Sequence, residues 1–107
     1  MDKIKEEISA KDAYDLINSE DIILIDVRTK NEHNLEKIKN SINIDLFSKD
    51  FQKDILKLDK NHKYIVYCRS GQRSRSAMEI MNKLNFNEVY NLDGGIILWK
   101  NNNLPVE

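Results

Sequence analysis

The run Ile22-Ile23-Leu24-Ile25-Asp26-Val27 is apolar at nearly every position, with no alternation of apolar and polar side chains. A strand with one wet face alternates, so this run fits a strand of a parallel sheet covered on both sides. Tyr64-Ile65-Val66-Tyr67 and Val89-Tyr90-Asn91-Leu92 read as two more buried strands. Ile4 to Ile8 fits a short edge strand, and Ile42 to Leu46 a further short one. Helical patterns lie between them. Ser9 and Asp12 resemble a capping box ahead of a stripe of Ala13, Leu16 and Ile17 that runs to Asn18. Asn31 to Lys37 reads as a short polar helix. Phe51, Ile55, Leu56 and Leu58 mark another, before an Asp59-Lys60-Asn61-His62 turn. A helix from Ser74 to Leu84 carries Ala77, Ile80 and Met81, and a final one after Asp93-Gly94-Gly95 holds Leu98 and a core Trp99, ending before Pro105. Strands alternating with helices at this spacing predict an α/β fold with a mostly parallel sheet, and 107 residues leave room for one such domain, 1–107.

Parallel sheets bind ligands beyond the carboxyl ends of their strands. Cys68, the sole cysteine, stands at such an end and begins the loop Cys68-Arg69-Ser70-Gly71-Gln72-Arg73-Ser74. A strand that breaks at a glycine-containing loop and re-enters a helix leaves unpaired backbone N–H groups converging. Together with the positive end of the helix macrodipole they form a cradle for an anion. A thiol at the rim of that cradle is expected to have a depressed pKa, which populates the nucleophilic thiolate. Gly71 can take φ > 0 and let the loop curl. The alternative for any lone cysteine is a small, inert core residue.

Lysine dominates the basic residues, yet three of the four arginines, Arg69, Arg73 and Arg75, cluster beside Cys68; the fourth is Arg28. A planar fork suits an oxyanion, so Arg69 and Arg73 are candidate anion-binding groups. Their other use is in surface ion pairs with acids such as Glu79, each worth little. Arg75, one position inside the helix, is open to either use.

Composition narrows the classes further. A net charge of −1 gives no basic field for nucleic acid or anionic lipid. No apolar stretch approaches the ~20 residues of a membrane span, and Met1 to Glu7 lacks the apolar centre of a signal peptide. One cysteine excludes an internal disulfide, which suits a reducing cytoplasm, and no second thiol can resolve an adduct on Cys68. His33 and His62 lack ligand spacing and are expected to be exposed; no metal site and no cofactor are expected.

Three segments together resemble the single-domain rhodanese-like sulfurtransferases: Ile25-Asp26-Val27-Arg28 followed by Glu32; the Cys-x-x-Gly-x-Arg-Ser loop at 68–74; and Val89 to Ile96 with Trp99 and Leu104-Pro105-Val106. The likeness covers about Ile8 to Val106. It implies a five-stranded parallel sheet with helices on both faces. The chain departs from the family between Glu32 and Ile42. There the family shows an aromatic, a Gly-His-Ile triplet and a second glycine, and this chain has His33, Glu36-Lys37-Ile38 and Asn40. The loss of the two glycines and the histidine bears on the local turn geometry and on what this segment adds to the pocket rim, and does not touch the loop around Cys68.

The resemblance also implies a mechanism. Cys68 attacks the outer sulfur of thiosulfate or a persulfide donor, and cyanide or a thiol then removes the sulfur. The expected partners are a small anionic sulfur donor and one of those acceptors, with a protein persulfide as a further candidate, acting on a monomer. Arg73 would pin the loop or the leaving oxyanion, and Arg69 would steer the donor. Ser70, Gln72 and Ser74 would line the site, though Ser74 is equally well explained as a helix N-cap. Asp26 and Arg28 are read as structural: Asp26 accepting N–H bonds that hold the loop, Arg28 pairing with Glu32 at i,i+4. Gly94 and Gly95 are read as a tight turn at the sheet edge.

Two rivals remain. Cysteine-dependent phosphatases and arsenate reductases also use a thiolate in an amide cradle, but with a Cys-to-Arg spacing that falls between the four residues separating Cys68 from Arg73 and the six separating it from Arg75. A non-catalytic interaction module on the same scaffold would be expected to lack the cysteine or the loop arginine.

Overall fold

The computed structural model describes residues 6–107. Five strands, β1 (Glu7–Ile8), β2 (Ile22–Asp26), β3 (Ile42–Asn43), β4 (Lys63–Tyr67) and β5 (Glu88–Leu92), form one sheet in the order β1-β5-β4-β2-β3. All four neighbouring pairs are parallel, so every carboxyl end lies on one edge. Five helices alternate with the strands: α1 (Ala10–Ser19), α2 (Lys30–Leu35), α3 (Phe51–Ile55), α4 (Gln72–Lys83) and α5 (Gly95–Asn101). No helix among the described residues is long and apolar enough to cross a membrane.

The unalternating strands are explained by what covers them. In β4, Tyr64 and Val66 point with Cys68 toward a cluster containing Phe51 and Ile55 of α3 and Ala77, Met78 and Met81 of α4. Ile65 and Tyr67 point the other way, to Ala10 and Ala13 of α1 and Ile96 and Trp99 of α5. With period-two side chains and helices on both faces, every position of the strand is apolar or must find an internal partner. Burying a residue the size of Ile65 contributes about 2 kcal/mol relative to exposure, and Trp99 lies in the core as the sequence predicted.

The element boundaries differ from the sequence reading by a few residues. Ile4, at the start of the expected first strand, lies outside the described residues; within them the strand is Glu7–Ile8. At the start of α1, Ser9 Oγ accepts from Asp12 N at 3.1 Å, one half of a capping box. The complete box is at Thr29 and Glu32, whose side chains and backbones bond reciprocally at the start of α2. α3 stops at Ile55, before Leu56 and Leu58. α4 starts two residues earlier than predicted, with Gly71 and not Ser74 at its N-cap.

Candidate active site

β4 ends at Tyr67, and the next residue is the cysteine. The loop then doubles back through Gly71, whose φ of +111° is the left-handed backbone only glycine adopts cheaply. Its nearest would-be Cβ contact, Gly94 N at 3.6 Å, is ordinary, so the glycine is required by its dihedral and not by space. The curl brings Gly71 N–H to 3.1 Å from Cys68 Sγ and the Ser74 hydroxyl to 3.4 Å. Ser74 is therefore inside the first turn of α4 and donates to sulfur; it does not cap the helix. Burial pushes the Cys68 thiol up, but the Ser74 hydroxyl and the backbone amides of Ser74, Gly71 and Ser70 outweigh it, and its pKa lies below the ordinary thiol value.

The thiol is not at the rim. Cys68 keeps 1% of its surface and packs against the α4 cluster, so its sulfur lies beneath the loop that supplies the donors. The reason is geometric: β4 runs into the core along its whole length, and the loop closes over its last side chain. An inert core cysteine would be equally buried, but it would lack converging donors and its pKa would be raised.

The outer wall of the cradle comes from α5. Ile96 N–H donates to the Cys68 carbonyl at 3.0 Å and Ile97 N–H to the Arg69 carbonyl at 3.2 Å. With those carbonyls drawn outward by a helix N-terminus, the loop amides are left facing the sulfur. The approach is close enough that a Cβ on Gly95 would stand 2.5 Å from the Cys68 carbonyl oxygen. Gly94 and Gly95, at φ +74° and +59°, thus form the expected tight turn and also seat α5 on the loop.

The loop arginines divide. Arg73 is held by Glu32 through two parallel bonds, Nη1 to Oε1 at 2.7 Å and Nη2 to Oε2 at 3.0 Å. It pins the first turn of α4 to α2, and its fork is occupied rather than open to an oxyanion. Arg75 pairs with Glu7 of β1 at 3.2 Å, and neither arginine uses Glu79. Arg69 is exposed and has no ion pair among the described residues. Ser70 and Gln72 are exposed beside it.

The Arg73 fork holds the Glu32 carboxyl down to about 2, against partial burial that pushes it up. A carboxyl lowered in the folded state binds its proton more readily once unfolded. Its contribution is therefore complete above the ordinary value of 4.5 and drains away as pH falls toward 2. The pair is partly solvent-exposed, so the expected contribution is on the order of 1 kcal/mol. Urea melts of wild type and Glu32→Gln at pH 6 should differ by about that amount, and the gap should shrink at pH 3. An equal gap at both values would show that the pair is not its source.

Asp26 and Arg28 form a buried network on the sheet face opposite Cys68. Asp26, with no exposed surface, accepts from Arg28 N at 2.9 Å, from the Arg28 guanidinium through Nε at 2.9 Å and Nη2 at 2.7 Å, and from the Tyr67 hydroxyl at 3.1 Å. Two expectations are corrected here. Asp26 does not hold the Cys68 loop, and Arg28 does not pair with Glu32, because β2 ends by turning its guanidinium back onto Asp26 while Glu32 faces Arg73. His33 is not free either: its Nδ1 lies 2.8 Å from Asp26 Oδ2. His62 is only partly exposed.

The atypical segment after α2 turns at Ile38 to Ser41, where Ser41 N–H donates to the Ile38 carbonyl at 3.1 Å. Asn40 takes φ +68°, the left-handed conformation a glycine would supply, and asparagine is among the few side chains that tolerate it. Ile38 N–H donates to the Tyr67 hydroxyl at 3.0 Å, and the Arg28 fork reaches the Glu36 carbonyl. The sequence reading missed Tyr67, His33 and Asn91 as polar supports of the sheet edge. The Thr-x-x-Glu spacing at Thr29 was a legible sign of the box that orients Glu32.

Residues 9–102, which include the strand-end cysteine, its amide loop and the glycine-led helix, match the family described as "Rhodanese-like domain". The chain belongs to the rhodanese-like domain family. A thiosulfate sulfurtransferase, GlpE, of Coxiella burnetii is 33% identical over 94 residues, covering 88% of this chain and 86% of that protein. A tRNA uridine(34) hydroxylase of Cytophaga hutchinsonii is 36% identical over 81 residues, but this chain spans only 26% of its length. Among solved structures, a rhodanese-related protein of Thermoplasma volcanium superposes with a TM-score of 0.85 at 32% identity, covering 95% of this chain and 97% of that one. This rhodanese-like chain therefore has relatives in which the domain is nearly the whole protein and others in which it is a part.

Proposed function

We propose that the protein is a sulfurtransferase that carries a sulfane sulfur on Cys68. The observation that carries this reading is the convergence of Gly71 N–H and the Ser74 hydroxyl on a thiol sulfur whose pKa falls below the ordinary value in spite of its burial. In the first step the Cys68 thiolate attacks the outer sulfur of thiosulfate; the S–S bond of the donor breaks, and sulfite leaves with the bonding electron pair. The terminal sulfur of the persulfide inherits the negative charge and the loop donors. In the second step cyanide or a thiolate attacks that terminal sulfur, and the Cys68 thiolate departs as leaving group, giving thiocyanate or a new persulfide. The loop donors favour the thiolate form of Cys68, so neither step is assigned a general base. Exposed Arg69 attracts an anionic donor to the mouth.

The depth of the sulfur favours a donor with a slim, singly bonded end, such as thiosulfate, polysulfide or a persulfide. Similarity to a thiosulfate sulfurtransferase along nearly its whole length supports thiosulfate as the first donor to try. Wild-type protein treated with thiosulfate should gain one sulfur by intact mass spectrometry, lose it to cyanide, and Cys68→Ser should gain none. Failure of the wild type to take up sulfur from thiosulfate, polysulfide and a small persulfide overturns the reading. Aryl phosphate hydrolysis that disappears in Cys68→Ser would favour the phosphatase alternative, and a thiol titrating near ~8.5 would favour a non-catalytic module.

A further inference from the structure

Asn91 lies on β5 with no exposed surface, on the strand face that Val89 presents to α4. Its Nδ2 stands 3.1 Å from the Gly71 carbonyl oxygen and 3.1 and 3.2 Å from the two oxygens of Glu7. Two amide hydrogens thus serve the loop and the β1 carboxylate. Three acceptors around one atom also fix the orientation of the amide, since a flip would set its oxygen against a carboxylate and a carbonyl. The other end of the side chain is stranded: Oδ1 is buried with no hydrogen-bond partner among the described residues.

A half-satisfied buried amide is a poor choice for stability alone. An apolar side chain of similar size would remove the stranded oxygen. It would also leave no group orphaned, because the Gly71 carbonyl still accepts from Arg75 N at 3.2 Å and Glu7 still holds Arg75. What the apolar side chain could not do is add a second hold on the Gly71 carbonyl beside the helical bond from Arg75 N. Gly71 sits at φ +111°, ψ −11°, in backbone space where glycine moves freely, and its N–H is the amide 3.1 Å from the cysteine sulfur.

We propose that Asn91 is a positioning residue, whose side-chain amide clamps the Gly71 carbonyl and so keeps the Gly71 N–H aimed at Cys68 Sγ. The proposal deepens the sulfurtransferase reading and rests on it for its consequence in catalysis. Asn91 touches neither the sulfur nor a donor. It acts through Gly71 itself, holding the peptide plane on the carbonyl side of the glycine's free φ and ψ while the N–H of the preceding plane faces the sulfur, and Glu7, bridging Arg75 and Asn91, steadies the amide from β1.

The test uses the small number of glycines. With only three in the chain, selective 15N-glycine labelling yields three backbone signals, one of them Gly71. In Asn91→Leu the protein should fold with a urea midpoint no lower than wild type, while Gly71 amide exchange quickens about tenfold or more. The thiolate titration should move upward, and alkylation of Cys68 at neutral pH should slow severalfold. If Asn91→Leu does not fold, Asn91→Ala is read for the same signals. Unchanged Gly71 exchange and an unchanged thiol titration in a folded variant overturn the proposal. So does failure of both variants to fold, which would make Asn91 a structural residue only. These readouts need no sulfur donor, so a wild-type protein that refuses sulfur would defeat the proposed activity and leave the role of Asn91 standing on its own result.

Discussion

Gly95→Ala should destabilise the protein by at least about 3 kcal/mol and abolish sulfur loading, the combined cost of strain and a backbone collision. Gly95 has φ +59°, where an L-residue pays about 1–2 kcal/mol. The added methyl would meet the carbonyl groups of Cys68 and Arg69, the former at 2.5 Å, and both are backbone with no rotamer to yield. Relief requires α5 to lift from the loop, which breaks the Ile96 and Ile97 bonds to those carbonyls and lets the cradle amides turn. Gly71→Ala should cost less, because its methyl would make only ordinary contacts, the nearest with Gly94 N at 3.6 Å, and only the dihedral objects. Urea midpoints with thiol titrations of the two variants give the ranking directly. A Gly95→Ala protein as stable as Gly71→Ala would show that α5 does not bear on the loop as described.

Asp26→Leu is expected to cost about 3–5 kcal/mol, a large part of the 5–15 typical of a domain, because it leaves the Arg28 guanidinium buried without its carboxylate. Arg28 is 5% exposed, and its remaining side-chain acceptor would be the Glu36 carbonyl. The Tyr67 hydroxyl would lose one of its partners and His33 its only one among the described residues. The thiol should be less affected than the fold, since the network lies across the sheet from Cys68. Pairing the change with Arg28→Met should recover much of the loss, because the desolvated charge goes with it. Thermal midpoints of the two single variants and the double supply the cycle, and purely additive losses would show that Asp26 and Arg28 are not coupled.

Much of the site was legible because it is local. Cys68, the glycine of its loop and the helix that follows are neighbours in the chain, so spacing alone implied that backbone amides converge there. Gly94 and Gly95 were readable as a turn for the same reason. Their second duty, seating α5 against the Cys68 and Arg69 carbonyls, involves residues more than twenty positions apart and left no local trace. The arginine cluster misled in part. Three guanidiniums beside one thiol suggested an open anion site, but Glu32 and Glu7 arrive from distant strands and helices to occupy two of them. His33 and Tyr67 likewise look ordinary in sequence, and only the packing of α2 and β4 around Asp26 gives them polar work.

What the order of residues determined by itself was periodicity and local chain reversal: apolar runs that need two covered faces, helical stripes that cover them, and a glycine loop that turns backbone donors toward the residue ending a strand. Those features depend on interactions within a few positions, so they can be read without coordinates. The depth of the thiol, the partners of each arginine and the clamp from Asn91 to Gly71 were decided by tertiary structure alone. Each depends on which of several chemically equivalent carboxylates or amides the fold carries to within about 3 Å, and a hydrogen bond formed at that distance has no counterpart in the linear spacing of the chain.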